Sequence, residues 1–133
     1  MFELDTRLQS DCFELFEREA IHYLLHRNAA VTWFILVPRT TVIEFHRLPA
    51  ELKQRLQRQI DRVAGFIEDY TEVDKVNIAT IGNVVSQLHV HIIGRRRDDP
   101  YWPDVVWGKP AQGTYQAAAV EQIRSRLGGY LNG

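Results

Sequence analysis

The stretch Gln87-Leu88-His89-Val90-His91-Ile92-Ile93 places a hydrogen-bonding side chain at every second position. In an extended strand alternate side chains share a face, so Gln87, His89 and His91 point one way and Leu88, Val90 and Ile92 the other. Three polar groups then line one surface over an apolar backing. Two neutral imidazoles held this close can serve as a nucleophile and its electrostatic neighbour, because histidine titrates near neutral pH. The same His-x-His spacing also suits two metal ligands, or an ordinary strand with histidines on its solvent face. A zinc site needs a third or fourth ligand at sensible spacing. Cys12, His22, His26 and His46 offer none, and Gln87 is a poor zinc ligand, so no metal site is expected.

The elements that must position this stretch read as α+β. Phe13 to Phe16 can form a short strand. Ala20 to Leu25 and Val31 to Val37, the latter closed by Pro38, are rich in β-branched, aromatic and aliphatic residues and predict an antiparallel pair. A helix is predicted after Leu48, with Pro49 in its first turn, where a missing N–H costs nothing. Leu52, Leu56, Ile60, Val63, Ile67 and Tyr70 follow at spacings of three and four and form one apolar stripe. Lys53, Arg55, Arg58, Asp61 and Arg62 fall mainly on the opposite, solvated side. Val76 to Ile81 predicts a strand broken by Gly82-Asn83, and Leu88 to Ile93 predicts the strand of the motif itself. Pro100, Pro103 and Pro110 make the following segment irregular. A last helix is expected from about Thr114 to Leu127, ending at Gly128-Gly129. The sheet is expected to be antiparallel and five- to six-stranded, with one long helix and a C-terminal helix. No repeat, linker or low-complexity tract divides residues 1–133, so one domain is expected.

Composition narrows the classes of function. Of the 133 residues, 45% are apolar and 25% charged, which is ordinary for a folded globular chain. A formal net charge of −1 lacks the basic footprint of a nucleic-acid binder, so no nucleic-acid partner is expected. The single cysteine, Cys12, cannot form an internal disulfide and reads as a small packing residue. No stretch approaches the roughly 20 apolar residues of a membrane span. With no signal-peptide pattern at Met1 to Asp5, a cytoplasmic protein is expected.

The motif and its surroundings resemble those of the histidine triad family, whose signature is His-x-His-x-His followed by two apolar residues. Phe34-Ile35-Leu36-Val37-Pro38-Arg39 is similar to the family's strand ending in proline and a basic residue. Val76-Asn77-Ile78, then Gly82-Asn83, is similar to its strand and loop ahead of the signature. The resemblance covers roughly residues 20 to 108. It implies a two-step nucleotide hydrolase or nucleotidyl transferase, in which His89 attacks the α-phosphorus of a nucleoside phosphate conjugate. Dinucleoside polyphosphates and nucleoside phosphoramidates are the implied substrates. A covalent nucleotidyl-histidine forms and is released by water or another acceptor, which splits one hard displacement into two. His91 is implied to orient His89 and help hold phosphate oxygens, whose shifting charge nearby donors would stabilise. No cofactor is implied, although a divalent cation could accompany a polyphosphate substrate. Family members are commonly two-fold dimers, and a homodimer would protect an edge strand.

Four positions depart from the family pattern. Gln87 stands where the first histidine is usual, giving Gln-x-His-x-His; it keeps a donor and an acceptor but cannot titrate. Trp33 and Thr41 occupy positions where many members carry histidine, and Val84 falls where many have a serine thought to assist the leaving group. The nucleophile is intact and the source of the leaving-group proton is open. Gln87 and Val84 also motivate a nucleotide-binding regulatory module with little turnover. Among other candidates, Asn77 matches the family's substrate-contacting asparagine. Asn83 sits in a loop whose amides can cradle phosphate, and Arg95, directly off the motif strand, would suit a polyphosphate tail. Asn28 or His26 is a candidate ribose contact, and His46 reads as surface. Trp102-Pro103 and Trp107-Gly108 would either cap the core or an interface, or cover the site.

Overall fold

The computed structural model describes residues 2–133. Five strands form one antiparallel sheet in the order β1-β2-β3-β5-β4. They are β1 (Cys12–Arg18), β2 (Ile21–His26), β3 (Thr32–Pro38), β4 (Lys75–Ala79) and β5 (Val90–Arg95). The predicted pair of Ala20 to Leu25 with Val31 to Val37 is the β2–β3 hairpin. The short strand at Phe13 to Phe16 is longer than expected and carries a register shift between Glu14 and Phe16.

Each face of the sheet has its own core. Tyr23, Leu25, Phe34, Leu36, Val90 and Ile92 pack on one side against helix α2 (Ala50–Tyr70) and helix α3 (Ala117–Asn132). The stripe Leu56, Ile60, Val63 and Ile67 is buried there, as its spacing required, while Leu52 and Tyr70 are partly covered. Pro49 is the N-cap of α2, one residue before its first turn. Gly94 marks the close approach of β5 to this layer. A Cβ there would lie 2.7 Å from Ile67 and 2.8 Å from Val73.

The opposite face carries Leu24, Trp33, Ile35, Val37 and Ile93. It is roofed by two segments. The first is the N-terminal arm with helix α1 (Thr6–Asp11), which buries Leu4 and Leu8. The second is the irregular stretch after β5, which buries Tyr101 and Val106. The sequence reading did not anticipate α1, although Asp5 caps it through the backbone N–H of Arg7.

Helix α3 corrects the expected boundaries. It begins at Ala117 rather than near Thr114, and it continues through Gly128-Gly129 to Asn132. Leu127 and Leu131 lie one turn apart and are both buried, so packing holds the helix across two poor helix formers.

Candidate active site

His91 belongs to β5 opposite Ile35, and His89 immediately precedes that strand. Both face the roofed side of the sheet, while Val90 and Ile92 face α2, so the alternation read from the motif holds. The two imidazoles meet edge to face, with centroids 4.9 Å apart.

Their hydrogen bonds assign opposite tautomers. His89 Nδ1 is 2.6 Å from the carbonyl oxygen of Gln87. A carbonyl can only accept, so Nδ1 carries the proton and the lone pair lies on Nε2. His91 Nδ1 instead accepts from the indole Nε1–H of Trp33 at 3.0 Å. The proton of a neutral His91 is therefore on Nε2. The site thus holds one imidazole with an exposed basic nitrogen and one that presents an N–H. Burial pushes the His91 pKa down to about 3, with the neighbouring His89 and His26 adding to the depression.

Trp33 reaches His91 because the two lie diagonally across the β3–β5 ladder, whose register pairs Trp33 with Ile93. Its ring is fixed on both sides. His26, at the end of β2, stacks on it at 3.8 Å and 6°. Trp107 meets it edge-on at 6.1 Å and also approaches His91 at 5.1 Å. The backbone N–H of Asn28 donates to His26 Nδ1, and burial holds the His26 pKa below its usual value.

Two pockets open on this face. The larger, about 410 Å³, is walled by Trp33, Trp107, His26 and Ile35, with Leu8 and Val85 closing it. That volume and its aromatic lining suit a nucleoside-sized ligand. The smaller, about 170 Å³, includes Glu44, Thr80, Ser86 and Gln87. His89 lines both, as do Gly82 and Asn83. The nucleophile candidate therefore stands at the junction of two compartments.

The structure brings His89, His91 and Asn83 together with His26 and Trp107 around the larger pocket, and separates Asn77 and Arg95 from them. Gln87 hydrogen-bonds His89 through its backbone carbonyl. Its side-chain Oε1 accepts from Asp5 N and its Nε2 donates to Glu3 O, so the amide clasps the N-terminal arm. Arg95 corrects the expectation of a free guanidinium coming off the strand. Its side chain is 2% exposed, and its Nε and Nη2 donate to Asp99. Its Nη1 donates to Asn77 Oδ1, which places Asn77 in the same buried cluster and outside both pockets.

That cluster acts through a loop. Asp99 also accepts from the backbone N–H groups of Arg96, Tyr101 and Trp102, so the segment that delivers Trp107 hangs from the Arg95–Asp99 pair. Burial would raise the Asp99 pKa, but Arg95 and these amides outweigh it and hold it at about 2.

Asn28 is likewise a structural residue. It is buried, donates to the Tyr101 hydroxyl, and accepts from Ala30 N and Gln112 N. This removes Asn28 as a ribose contact and leaves His26, which lines the larger pocket. His46 is exposed. Of the two tryptophans weighed as caps or cover, Trp107 walls the pocket, while Trp102 packs over the Arg95 guanidinium.

Sequence reasoning missed Arg7, Leu8 and Asp11, which α1 contributes to the pocket. The cap residue Asp5 between Leu4 and Leu8, four apart, was the available signal. Among the described residues, no group of three or more His, Cys, Asp or Glu side chains is placed to hold a metal ion. None of the described helices is long and apolar enough to cross a membrane.

Residues 7–98 match the HIT domain family. A histidine triad protein from Bradyrhizobium japonicum is 35% identical and superposes with a TM-score of 0.90, covering 96% of each chain. One from Marinobacter aquaeolei VT8 is 36% identical, with a TM-score of 0.90, 99% of this chain and 97% of that chain. One from Sinorhizobium meliloti 1021 is 31% identical, with a TM-score of 0.91, 97% of this chain and 96% of that chain. No curated protein matches the chain.

Proposed function

Because this chain belongs to the HIT domain family, we propose that it transfers a nucleotidyl group from a nucleoside phosphate conjugate through a covalent bond to His89. The observation that carries this reading is the 2.6 Å contact of His89 Nδ1 with the Gln87 carbonyl, which leaves the Nε2 lone pair free. A dinucleoside polyphosphate or a nucleoside phosphoramidate would fit, with the nucleoside in the larger aromatic pocket and the departing group toward the smaller one. His91 would present its Nε2–H to a phosphate oxygen and stabilise the charge that builds there. The backbone around Gly82-Asn83 would add donors at the junction.

In this reading Gln87 takes the place of the first motif histidine and exchanges proton chemistry for a grip on the N-terminal arm. A second copy would pair along β4, one of the two edge strands, where Ile78 is 50% exposed. Sedimentation at micromolar concentration tests that dimer.

The transfer is tested by intact-protein mass spectrometry. The protein is mixed with an adenylylated substrate at neutral pH and quenched in alkali, where phosphoramidates survive. A nucleotidyl adduct is expected, and it should vanish in His89→Ala. A nucleotide-binding regulatory module is the second reading, favoured by the full engagement of the Gln87 amide with the N-terminal backbone. Calorimetric binding of AMP without adduct or turnover would select it.

A further inference from the structure

We infer that the indole N–H of Trp33 locks His91 as a neutral Nε2–H donor, and that this lock makes the site select leaving groups that depart as stable anions. The inference rests on nucleotidyl transfer at His89. Trp33 is here a positioning residue that acts through His91.

The geometry is restrictive. His91 Nδ1 faces the Trp33 N–H at 3.0 Å, so adding a proton there would set two donors against each other. The indole cannot turn aside. His26 lies flat on one face at 3.8 Å, Trp107 closes on its edge, and the ring is 5% exposed. Of the groups gathered around His91, only Asp11 bears a negative charge, and it is exposed to solvent. His89 comes from the residue just before β5, His26 from β2, Arg7 and Asp11 from α1, and Trp107 from the loop after β5. His26 has the same constraint as His91, since its Nδ1 accepts the backbone N–H of Asn28. His91 itself is 6% exposed.

The chemistry follows from electron counting. The lone pair of His89 Nε2 forms the N–P bond, and the bond from phosphorus to the leaving atom breaks with its electron pair on that atom. The Nδ1 proton of His89 stays on Nδ1, hydrogen-bonded to the Gln87 carbonyl. His91 can hydrogen-bond through Nε2–H, but it has no second proton to give, and surrendering its only one would leave an imidazolate. The Gln87 amide does not titrate and Val84 bears no transferable proton. Of the other groups lining the smaller pocket, the Thr80 and Ser86 hydroxyls are too weakly acidic to give up a proton unaided, and the Glu44 carboxylate, when ionised, only accepts. A phosphate or phenolate oxygen leaves as an anion without help. An alkylamine does not, because it must take a proton as it departs. General acid catalysis contributes typically 10²–10⁴-fold where it operates, and the lock withholds that factor from amine leaving groups.

The test combines a spectroscopic and a kinetic readout. Nitrogen-detected correlations of the histidine rings are recorded between pH 7 and 5 in the wild-type protein without substrate. His91 is expected to remain in the Nε2–H form throughout. In Trp33→Phe, the smaller ring loses the donor and admits water beside Nδ1, so relieving part of the burial that depresses it. His91 is then expected to begin taking up a second proton in that range. Turnover of the p-nitrophenyl ester of AMP is then compared with that of an alkyl phosphoramidate of AMP. The wild type should favour the ester by at least about 100-fold in kcat/KM, and Trp33→Phe should narrow the ratio at least about 10-fold at pH 6.

A wild-type His91 that is doubly protonated, or protonated on Nδ1, near pH 6 overturns the lock whether or not Trp33→Phe folds. Equal turnover of ester and amide by the wild type overturns the selectivity. If neither compound reacts while the Nε2–H form persists, the proposed function fails and the selectivity falls with it.

Discussion

At the scale of single residues, the pocket is organised by polar atoms whose partners lie on other elements. His91 illustrates the consequence for stability. Its folded-state pKa is depressed to about 3, against an ordinary value of 6.5. The unfolded chain therefore binds more protons as the pH falls below about 6.5, and stability declines with it; the contribution is fully present above that pH. Between pH 7 and 5 this residue should account for about 2 kcal/mol of lost unfolding free energy. Urea titrations at the two pH values check this, and the difference should shrink by a comparable amount in His91→Gln. Such effects are only partly legible in sequence. The motif announced His89 and His91 by type and spacing. Nothing local announced that Trp33, distant in the chain, would hold the Nδ1 of His91. Arg95 was misleading for a related reason. An arginine directly after a functional strand looks available, but it faces inward to meet Asp99 four residues on.

At the scale of elements, strands and the long helix were legible because their periodicity is also their burial pattern. The stripe on α2 lies on the core because apolar area must be covered, and period-two alternation in β5 gives one core face and one site face. The ends were less legible. Tertiary packing carried α3 through two glycines, and α1 is too short for periodicity to register. The β1–β2 turn shows an element built against local preference. Glu19 and Ala20 both adopt positive φ, 53° and 63°, between strands joined by only these two residues. Such a connection normally uses Asn-Gly, since side chains with a Cβ are strained there. Glu19 has a role, because its carboxylate accepts from the buried Gln59, itself the partner of the Tyr23 hydroxyl. Ala20 contributes no such side-chain bond. Ala20→Gly should therefore stabilise the protein by about 1 kcal/mol, read as a higher denaturant midpoint with unchanged slope. A lower midpoint would show that the turn is not strained.

At the scale of the whole molecule, the N-terminal arm and the irregular segment after β5 close over the central motif. The Gln87 amide joins one of them to it, through bonds to Glu3 O and Asp5 N that span more than 80 positions. Gln87→Ala should cost about 2 kcal/mol, two ordinary hydrogen bonds. It should also speed hydrogen exchange across residues 2–11 well beyond the rest of the protein. Unchanged protection there would mean that Leu4 and Leu8 alone hold the arm. The two-faced sheet has a practical meaning for anyone wishing to redesign this protein. Stability is lodged mainly under the sheet, in the layer formed with α2 and α3, whereas the walls of the larger pocket include exposed loop positions such as Ile81 and Val84. Those walls can be randomised as a library with little risk to folding, while the chemistry at His89 and His91 stays anchored to a strand the library never touches. The chain is thus a natural chassis for evolving new ligand preferences, one whose variable loop positions lie across a single sheet from the layer that holds the fold.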